Sequence, residues 1–153
     1  MAGGRIVQRG PAGEVFSRPA DLAVAGIVAV ETVQPGRVLQ AQGALVTVAI
    51  GEQKLVAWAP ELAASVGEVY ICIRAEDVIL MRGEPVRSSP RNCLRTRVRR
   101  LQPEGAMVRI ELDCGFALAA LLTKQACDEL VLVPGESVLA LIKAPQIHVI
   151  PRS

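Results

Sequence analysis

The residues best suited to chemistry are concentrated in a polar stretch of the second half of the chain. Segment 88–94 contains two hydroxyls, one guanidinium and one amide, from Ser88, Ser89, Arg91 and Asn92, directly before an apolar, β-like run. Hydroxyl and backbone N–H groups donate hydrogen bonds and a guanidinium adds charge, so this set suits a small tetrahedral anion. The same residue types are ordinary in a turn that opens a strand. The segment alone leaves both interpretations open.

A second candidate group is the cation Lys143, which ends an apolar run near the C-terminus and precedes Ala144 and Pro145. A cation at the end of a strand is either solvated or a second positive charge for the same anion. The distribution of charge favours the second half of the chain for anion binding. Residues 1–84 carry seven basic and nine acidic side chains, whereas residues 85–153 carry ten basic and six acidic ones.

Short apolar runs separated by turn residues predict an all-β fold after residue 25. The predicted strands are 26–31, 37–41, 45–50, 54–58, 68–73 and 78–81, followed by a second set. The sequence Gln-Pro-Gly at 34–36 predicts a turn between the first two strands. A spacing of about ten residues per strand is typical of a barrel or a sandwich.

The second half of the sequence repeats the first. Dipeptide 37–38 matches 97–98, and tripeptide 73–75 matches 142–144. The offset between the copies grows along the repeat, which fits a short inserted helix that has Thr123 as its N-cap. An internal repeat predicts two copies of one small barrel. The predicted division is at Gly83-Glu84-Pro85, with modules at 26–84 and 85–153.

As an ordered set, these motifs resemble the molybdate-binding mop module, a branch of the transport-associated oligonucleotide-binding-like (TOBE) domains. The set consists of Ser89-x-Arg91-Asn92-x-Leu94, an apolar strand, Thr123 at the start of a helix, and Ile142-Lys143-Ala144. The resemblance implies two tandem OB-like (TOBE/mop) β-barrels that bind molybdate or tungstate. The oxyanion-binding residues that it implies are Ser88, Ser89, Arg91, Asn92, Thr123, Lys143 and Ala144.

Two prolines depart from the pattern of the mop module. Pro145 stands where the family usually has Ser or Thr, which removes one hydroxyl and one N–H donor, and Pro90 replaces a common Ala. We nevertheless expect the anion where Ser89, Arg91 and Asn92 of one module meet Lys143 and Ala144 of another, at a module or subunit boundary. Such a site would let one ligand link two surfaces.

The N-terminal residues resemble the end of the ATP-binding subunit of ABC importers. The resembling segments are Gly4–Gly10, Glu14–Phe16 and Ser17–Ala20. The resemblance implies that residues 1–25 are a short α/β remnant of an ABC ATPase domain. It implies as partners that ATPase domain and the membrane permease subunits, and a cytoplasmic location peripheral to the inner membrane through the transporter. A free-standing protein is the alternative.

Several function classes are disfavoured by the sequence. The chain contains no GxxxxGK[ST] loop, so we expect no ATP hydrolysis by this chain, although its full-length parent would be an ABC-type ATPase. The four cysteines have no CxxC spacing and one histidine, His148, is present, which argues against zinc and favours buried, reduced thiols. The apolar runs are too short for a membrane span.

A basic strand face is the remaining candidate for a partner. Arg95, Arg97 and Arg99 alternate along one predicted strand and therefore share a face. This face is either a solvated strand surface or a nucleic-acid site. Stacking of bases requires aromatic side chains, and Phe116 is the single aromatic residue of the second half, so we expect no nucleic acid.

The sequence therefore leads to one principal hypothesis, a cytosolic molybdate- or tungstate-binding regulatory region of an ABC importer's ATPase subunit. We also expect a homodimer, because closed two-fold pairing is the commonest oligomer. Two alternatives stay open. One is a dimerising module of an importer for another solute such as sulfate, and the other is a free molybdate-storage or sensor protein.

Overall fold

The computed structural model describes residues 30–63 and 65–152. The predicted ATPase remnant at 1–25 and the start of the first predicted strand lie outside the described residues. The remaining chain is dominated by strands, as predicted. These are β1 (Val30–Gln42), β2 (Leu45–Ile50), β3 (Gln53–Trp58), β4 (Glu68–Arg74), β5 (Ile79–Met81), β6 (Asn92–Glu104), β7 (Met107–Asp113), β8 (Ala117–Thr123), β9 (Ser137–Ile142) and β10 (Ile147–Pro151). Helix α1 (Lys124–Leu130) and the 3-10 turns η1 (Ala75–Asp77) and η2 (Ala144–Gln146) complete the described elements.

The predicted turn at 34–36 is wrong, because β1 continues through it as one strand of 13 residues. The first part of β1, up to Arg37, pairs with β4, and the part from Arg37 onwards pairs with β2. Pro35 pairs with β4 and lies before the ladder with β2, which begins at Arg37, so β1 has an open side where a residue without an N–H is tolerated. A Cβ atom on Gly36 would lie 2.6 Å from Cγ1 of Val48, so glycine serves close strand packing here.

The strands form two five-stranded sheets that exchange their last strands. Sheet 1 has the order β10-β4-β1-β2-β3, and sheet 2 has the order β5-β9-β6-β7-β8. Strand β10, from the end of the chain, pairs with β4, while β5, from the first half, pairs with β9. Each sheet is therefore completed by a strand from the other half of the sequence.

The internal repeat is confirmed by matching irregularities in the two sheets. Strand β1 has a register shift after Val38 and β6 has one after Val98. The N–H of Val38 donates to the carbonyl of Gly67, and the N–H of Val98 donates to that of Glu136, each over 2.8 Å. These pairs lie at corresponding places along the two sheets, which makes the halves structurally equivalent.

One apolar core joins the two sheets. Its fully buried members include Leu55 and Ile71 from sheet 1 and Ile110 and Ile142 from sheet 2. Along β6 the side chains alternate between buried and exposed, starting with the buried Asn92. This alternation places a polar side chain between the sheets and sends its neighbours to the surface.

Candidate oxyanion site at the junction of the two sheets

Asn92 joins the two sheets at the start of β6. It is only 3% exposed, and its Oδ1 accepts a hydrogen bond of 2.7 Å from the N–H of Val56 on β3. Its Nδ2 donates to the carbonyls of Val56, at 2.9 Å, and Ile142, at 3.0 Å. Both hydrogens of the side-chain amide are thus donated to backbone carbonyls. The side chain of Asn92 acts as a positioning group and has no hydrogen left to donate to an anion.

Two cations are positioned by this polar junction. Asn92 pairs with Ile142 in the antiparallel ladder of β6 and β9. Arg91 and Lys143 are the next residues beyond this ladder, at the neighbouring ends of β6 and β9. Both side chains are exposed, and neither forms an ion pair within the part of the chain that the structure describes. Two cations without an ion pair among the described residues therefore lie at the neighbouring ends of β6 and β9.

The guanidinium of Arg91 also shapes the turn that precedes β6. Its Nε donates to the carbonyl of Ser89 over 3.1 Å, and its Nη2 donates to the carbonyl of Ser88 over 2.9 Å. A guanidinium has five N–H donors, so three stay available. Ser88 and Ser89 are exposed, and their backbone carbonyls accept from the same guanidinium. The turn therefore presents hydroxyl and guanidinium donors together.

The backbone around Lys143 turns sharply after β9. Ala144 is buried and opens η2, and the N–H of Gln146 donates to the carbonyl of Lys143 over 2.9 Å. Pro145 lies in the first turn of η2 and offers no N–H. The ammonium group of Lys143 is thus the main donor on this side of the site.

Thr123 lies away from these groups within one chain. It caps α1, as predicted, with its Oγ1 accepting from the N–H of Ala126 over 3.1 Å. In sheet 2 it pairs with Met107, which pairs in turn with Glu104 at the opposite end of β6 from Asn92. The described contacts do not bring Thr123 to the two cations, and its part in an anion site stays a prediction.

The expected meeting of two modules takes a different form in a single chain. Arg91, Asn92 and Lys143 of one chain all lie in or next to strands of sheet 2, and the expectation that Lys143 and Ala144 of another module complete the site at a module or subunit boundary stays a prediction. The other sheet reaches the site through the backbone of Val56. Sequence reasoning missed Val56 because it contributes only backbone groups, which leave no signal in residue type.

The basic face of β6 is a charged outer surface. Arg95 lies 3.6 Å from a carboxylate oxygen of Glu84, and Arg97 donates to the carbonyl of Gly135 over 2.6 Å. Arg95, Arg97 and Arg99 are all exposed, which confirms that they share the outer face.

The cysteines differ from the expectation of uniformly buried thiols. Cys93 is exposed because it follows the inward-facing Asn92 in the alternation of β6, whereas Cys72, Cys114 and Cys127 are buried. Burial raises the pKa of the Cys72 thiol to about 12. His148 on β10 is half-buried. Burial, with a smaller effect of Arg74, lowers its pKa.

Comparison with known proteins shows what the chain is similar to. Residues 88–149 match the TOBE domain. The molybdate/tungstate import ATP-binding protein WtpC of Pyrococcus abyssi is 34% identical over 154 residues, covering 97% of this chain and 41% of that protein. The molybdenum import ATP-binding protein ModC of Rhizobium etli is 33% identical over 149 residues, covering 94% and 41%. The chain spans about two-fifths of the length of these curated relatives.

A solved structure shows the same similarity. The cytoplasmic molybdate-binding protein ModG, in a crystal form with molybdate bound, superposes with a TM-score of 0.71 at 29% identity, covering 81% of this chain and 98% of that one. The predicted tandem OB-like barrels are thereby confirmed. Among the described residues, no helix is long and apolar enough to cross a membrane.

Proposed function

We propose that this chain is the cytosolic regulatory region of an ATP-binding subunit of an ABC importer, and that it binds molybdate or tungstate. The observation that carries the proposal is the pair of uncompensated cations, Arg91 and Lys143, within the segment that matches the TOBE domain. The names of the relatives and of the structural neighbour, all of which refer to molybdate or molybdenum, favour this ligand class.

The proposed site answers the main energetic difficulty of binding a dianion. A dianion that leaves water needs opposite charge and several hydrogen-bond donors to offset its lost hydration. Arg91 and Lys143 supply two positive charges, and Ser88 and Ser89 supply hydroxyls. Ala144 contributes backbone only. Asn92 positions the residues before β6 and after β9 through its hydrogen bonds to Val56 and Ile142. Thr123 is a further donor if a second chain brings it near.

The proposed regulatory effect follows from the position of the site. Arg91 precedes the residue that ties β6 to β3, and Lys143 precedes η2 and the exchanged strand β10. An anion held by both cations would favour the arrangement in which the neighbouring ends of β6 and β9 are fixed at their junction with β3. Binding can bias a transporter only through such a difference in affinity between two arrangements.

The partners and organisation of the full-length protein are part of the proposal. We propose an ATPase domain that includes residues 1–25, permease subunits at the membrane, a homodimer, and a division into modules at Gly83-Glu84-Pro85. The exposed apolar side chains of Trp58 and Leu39 are candidates for a dimer contact. Because the sequence has no phosphate-binding loop, this region itself is proposed to be non-catalytic.

Isothermal titration calorimetry of the chain with molybdate, tungstate, sulfate and phosphate tests the proposal. We expect saturable binding of molybdate and tungstate that is tighter than binding of sulfate or phosphate. Preferential binding of sulfate would favour the importer of another solute, and an absence of binding to all four anions would contradict the proposal. Light scattering of the same samples, with and without anion, measures the mass of the assembly and tests the homodimer.

A further inference from the structure

The structure contains a second junction at the place equivalent to Asn92. Thr32, at the start of β1, is 3% exposed and pairs with Ile73 on β4, as Asn92 pairs with Ile142 on β9. The Oγ1 of Thr32 accepts a hydrogen bond of 3.1 Å from the N–H of Ala119 on β8. Each junction thus connects the start of a long strand to an edge strand of the opposite sheet, β3 for Asn92 and β8 for Thr32.

The equivalence extends to the charged positions around each buried side chain. Junction A comprises Asn92 with Arg91 and the segment 143–146, and junction B comprises Thr32 with Glu31 and the segment 74–77. Both segments continue from a paired strand into a 3-10 turn. The two junctions can therefore be compared along the sequence repeat, with the difference that β1 has a register shift between Val30 and Thr32 and Val30 pairs with Arg74.

The charges at the two junctions are opposite. Junction A has two cations, Arg91 and Lys143, and no acidic residue at these positions. Junction B has one cation and three carboxylates at the same positions. Its residues are Glu31 in place of Arg91, Arg74 in place of Lys143, Glu76 in place of Pro145 and Asp77 in place of Gln146.

The cation of junction B is already paired. Nε of Arg74 lies 3.0 Å from Oδ2 of Asp77, whose side chain is 11% exposed. Glu31 forms an ion pair with Arg109, which also makes two hydrogen bonds to Glu104. The cation of junction B therefore lacks the uncompensated charge that Arg91 and Lys143 have at junction A.

We infer that the chain has one oxyanion site, at junction A, and that junction B is a copy from which oxyanions are excluded by its own carboxylates. Asp77 supplies the negative charge that an anion would otherwise bring to Arg74. A dianion entering junction B would have to displace that ion pair and would meet the unpaired carboxylate of Asp77 afterwards. This inference rests on the proposed function and specifies which of two equivalent places performs it.

Calorimetric titration of the full chain with molybdate tests the inference by comparing two cations at equivalent positions. Lys143→Ala should weaken binding at least tenfold, because it removes one of the two uncompensated charges. Arg74→Ala should change the affinity less than twofold and leave the stoichiometry unchanged. The wild-type chain should bind no more than one molybdate per chain. Circular dichroism melting curves check that both variants are folded.

The possible failures are distinguishable. Two molybdates bound per wild-type chain, or a loss of binding in Arg74→Ala as large as that in Lys143→Ala, would overturn this inference and leave the proposed function intact. An absence of molybdate binding to the wild-type chain would overturn the proposed function, and the assignment of junction A with it.

Discussion

Replacing Asn92 by Ala should destabilise the protein much more than an equivalent change at the other junction. The substitution removes three hydrogen bonds and leaves buried or half-buried backbone groups of Val56 and Ile142 without that partner. At about 0.5–1.5 kcal/mol of net stabilisation for each hydrogen bond, the free energy of unfolding should fall by roughly 2–4 kcal/mol. Thr32→Val removes one hydrogen bond at the equivalent place and should cost roughly 0.5–1.5 kcal/mol.

Urea unfolding followed by circular dichroism measures both changes. The slope m, which is the dependence of the free energy of unfolding on urea concentration, should be the same in both variants if each unfolds in a two-state transition. The Asn92→Ala variant should also bind molybdate more weakly, although its side chain contributes no donor, because Arg91 and Lys143 lose their common support. Equal losses of stability in Asn92→Ala and Thr32→Val would refute the view that Asn92 is the principal polar link between the sheets. Unchanged anion affinity in a destabilised Asn92→Ala variant would refute its positioning role.

Three further predictions follow from packing, exposure and titration. Gly36→Ala should lower the free energy of unfolding by about 1–3 kcal/mol, because its Cβ would lie 2.6 Å from a valine carbon; Gly67→Ala, which meets nothing within 4 Å, is the control in urea unfolding. A thiol reagent should label Cys93 rapidly in the native state and leave Cys72 unlabelled, which mass spectrometry of digested protein detects; rapid labelling of Cys72 would contradict its burial. Because His148 has a lowered pKa in the fold, the unfolded state gains its proton first as pH falls through about 6.5. The free energy of unfolding of the unmodified chain should therefore decline below that pH, and that of His148→Gln should decline less. Identical melting profiles of the unmodified chain and His148→Gln between pH 7 and pH 5 would contradict this prediction.

The strand pattern and the repeat could be predicted from the sequence because they depend on local periodicity. Alternating apolar residues indicated most of the strands, and the capping preference of threonine indicated the start of α1 at Thr123. The continuity of β1 through Pro35 could not be predicted. A proline followed by glycine is typical of a turn. The proline is accommodated within β1 because that strand pairs with β4 at Pro35 and with β2 only from Arg37 onwards, and this strand pairing is not visible in the sequence.

The tertiary features of the candidate site were less accessible to sequence reasoning. Strands β5 and β10 are short apolar runs at equivalent places, so no local feature indicates that they are exchanged between sheets. The polar type of Asn92 suggested an anion donor, whereas its burial against two backbone segments assigns it to the scaffold. The cation Lys143 could be identified because it ends an apolar run and matches the mop pattern, whereas its place next to the β6–β9 ladder depends on strand pairing.

The central claim, that Arg91 is part of an oxyanion site, is tested most directly by titrating molybdate into Arg91→Ala, Arg99→Ala and the unmodified chain. Arg91→Ala removes a charge-assisted donor worth roughly 1.5–3 kcal/mol, which corresponds to about 10- to 100-fold in affinity. Arg99 is an exposed arginine on the outer face of the same strand, so its replacement should leave the affinity nearly unchanged. Equal affinity of Arg91→Ala and the unmodified chain for molybdate would contradict the claim.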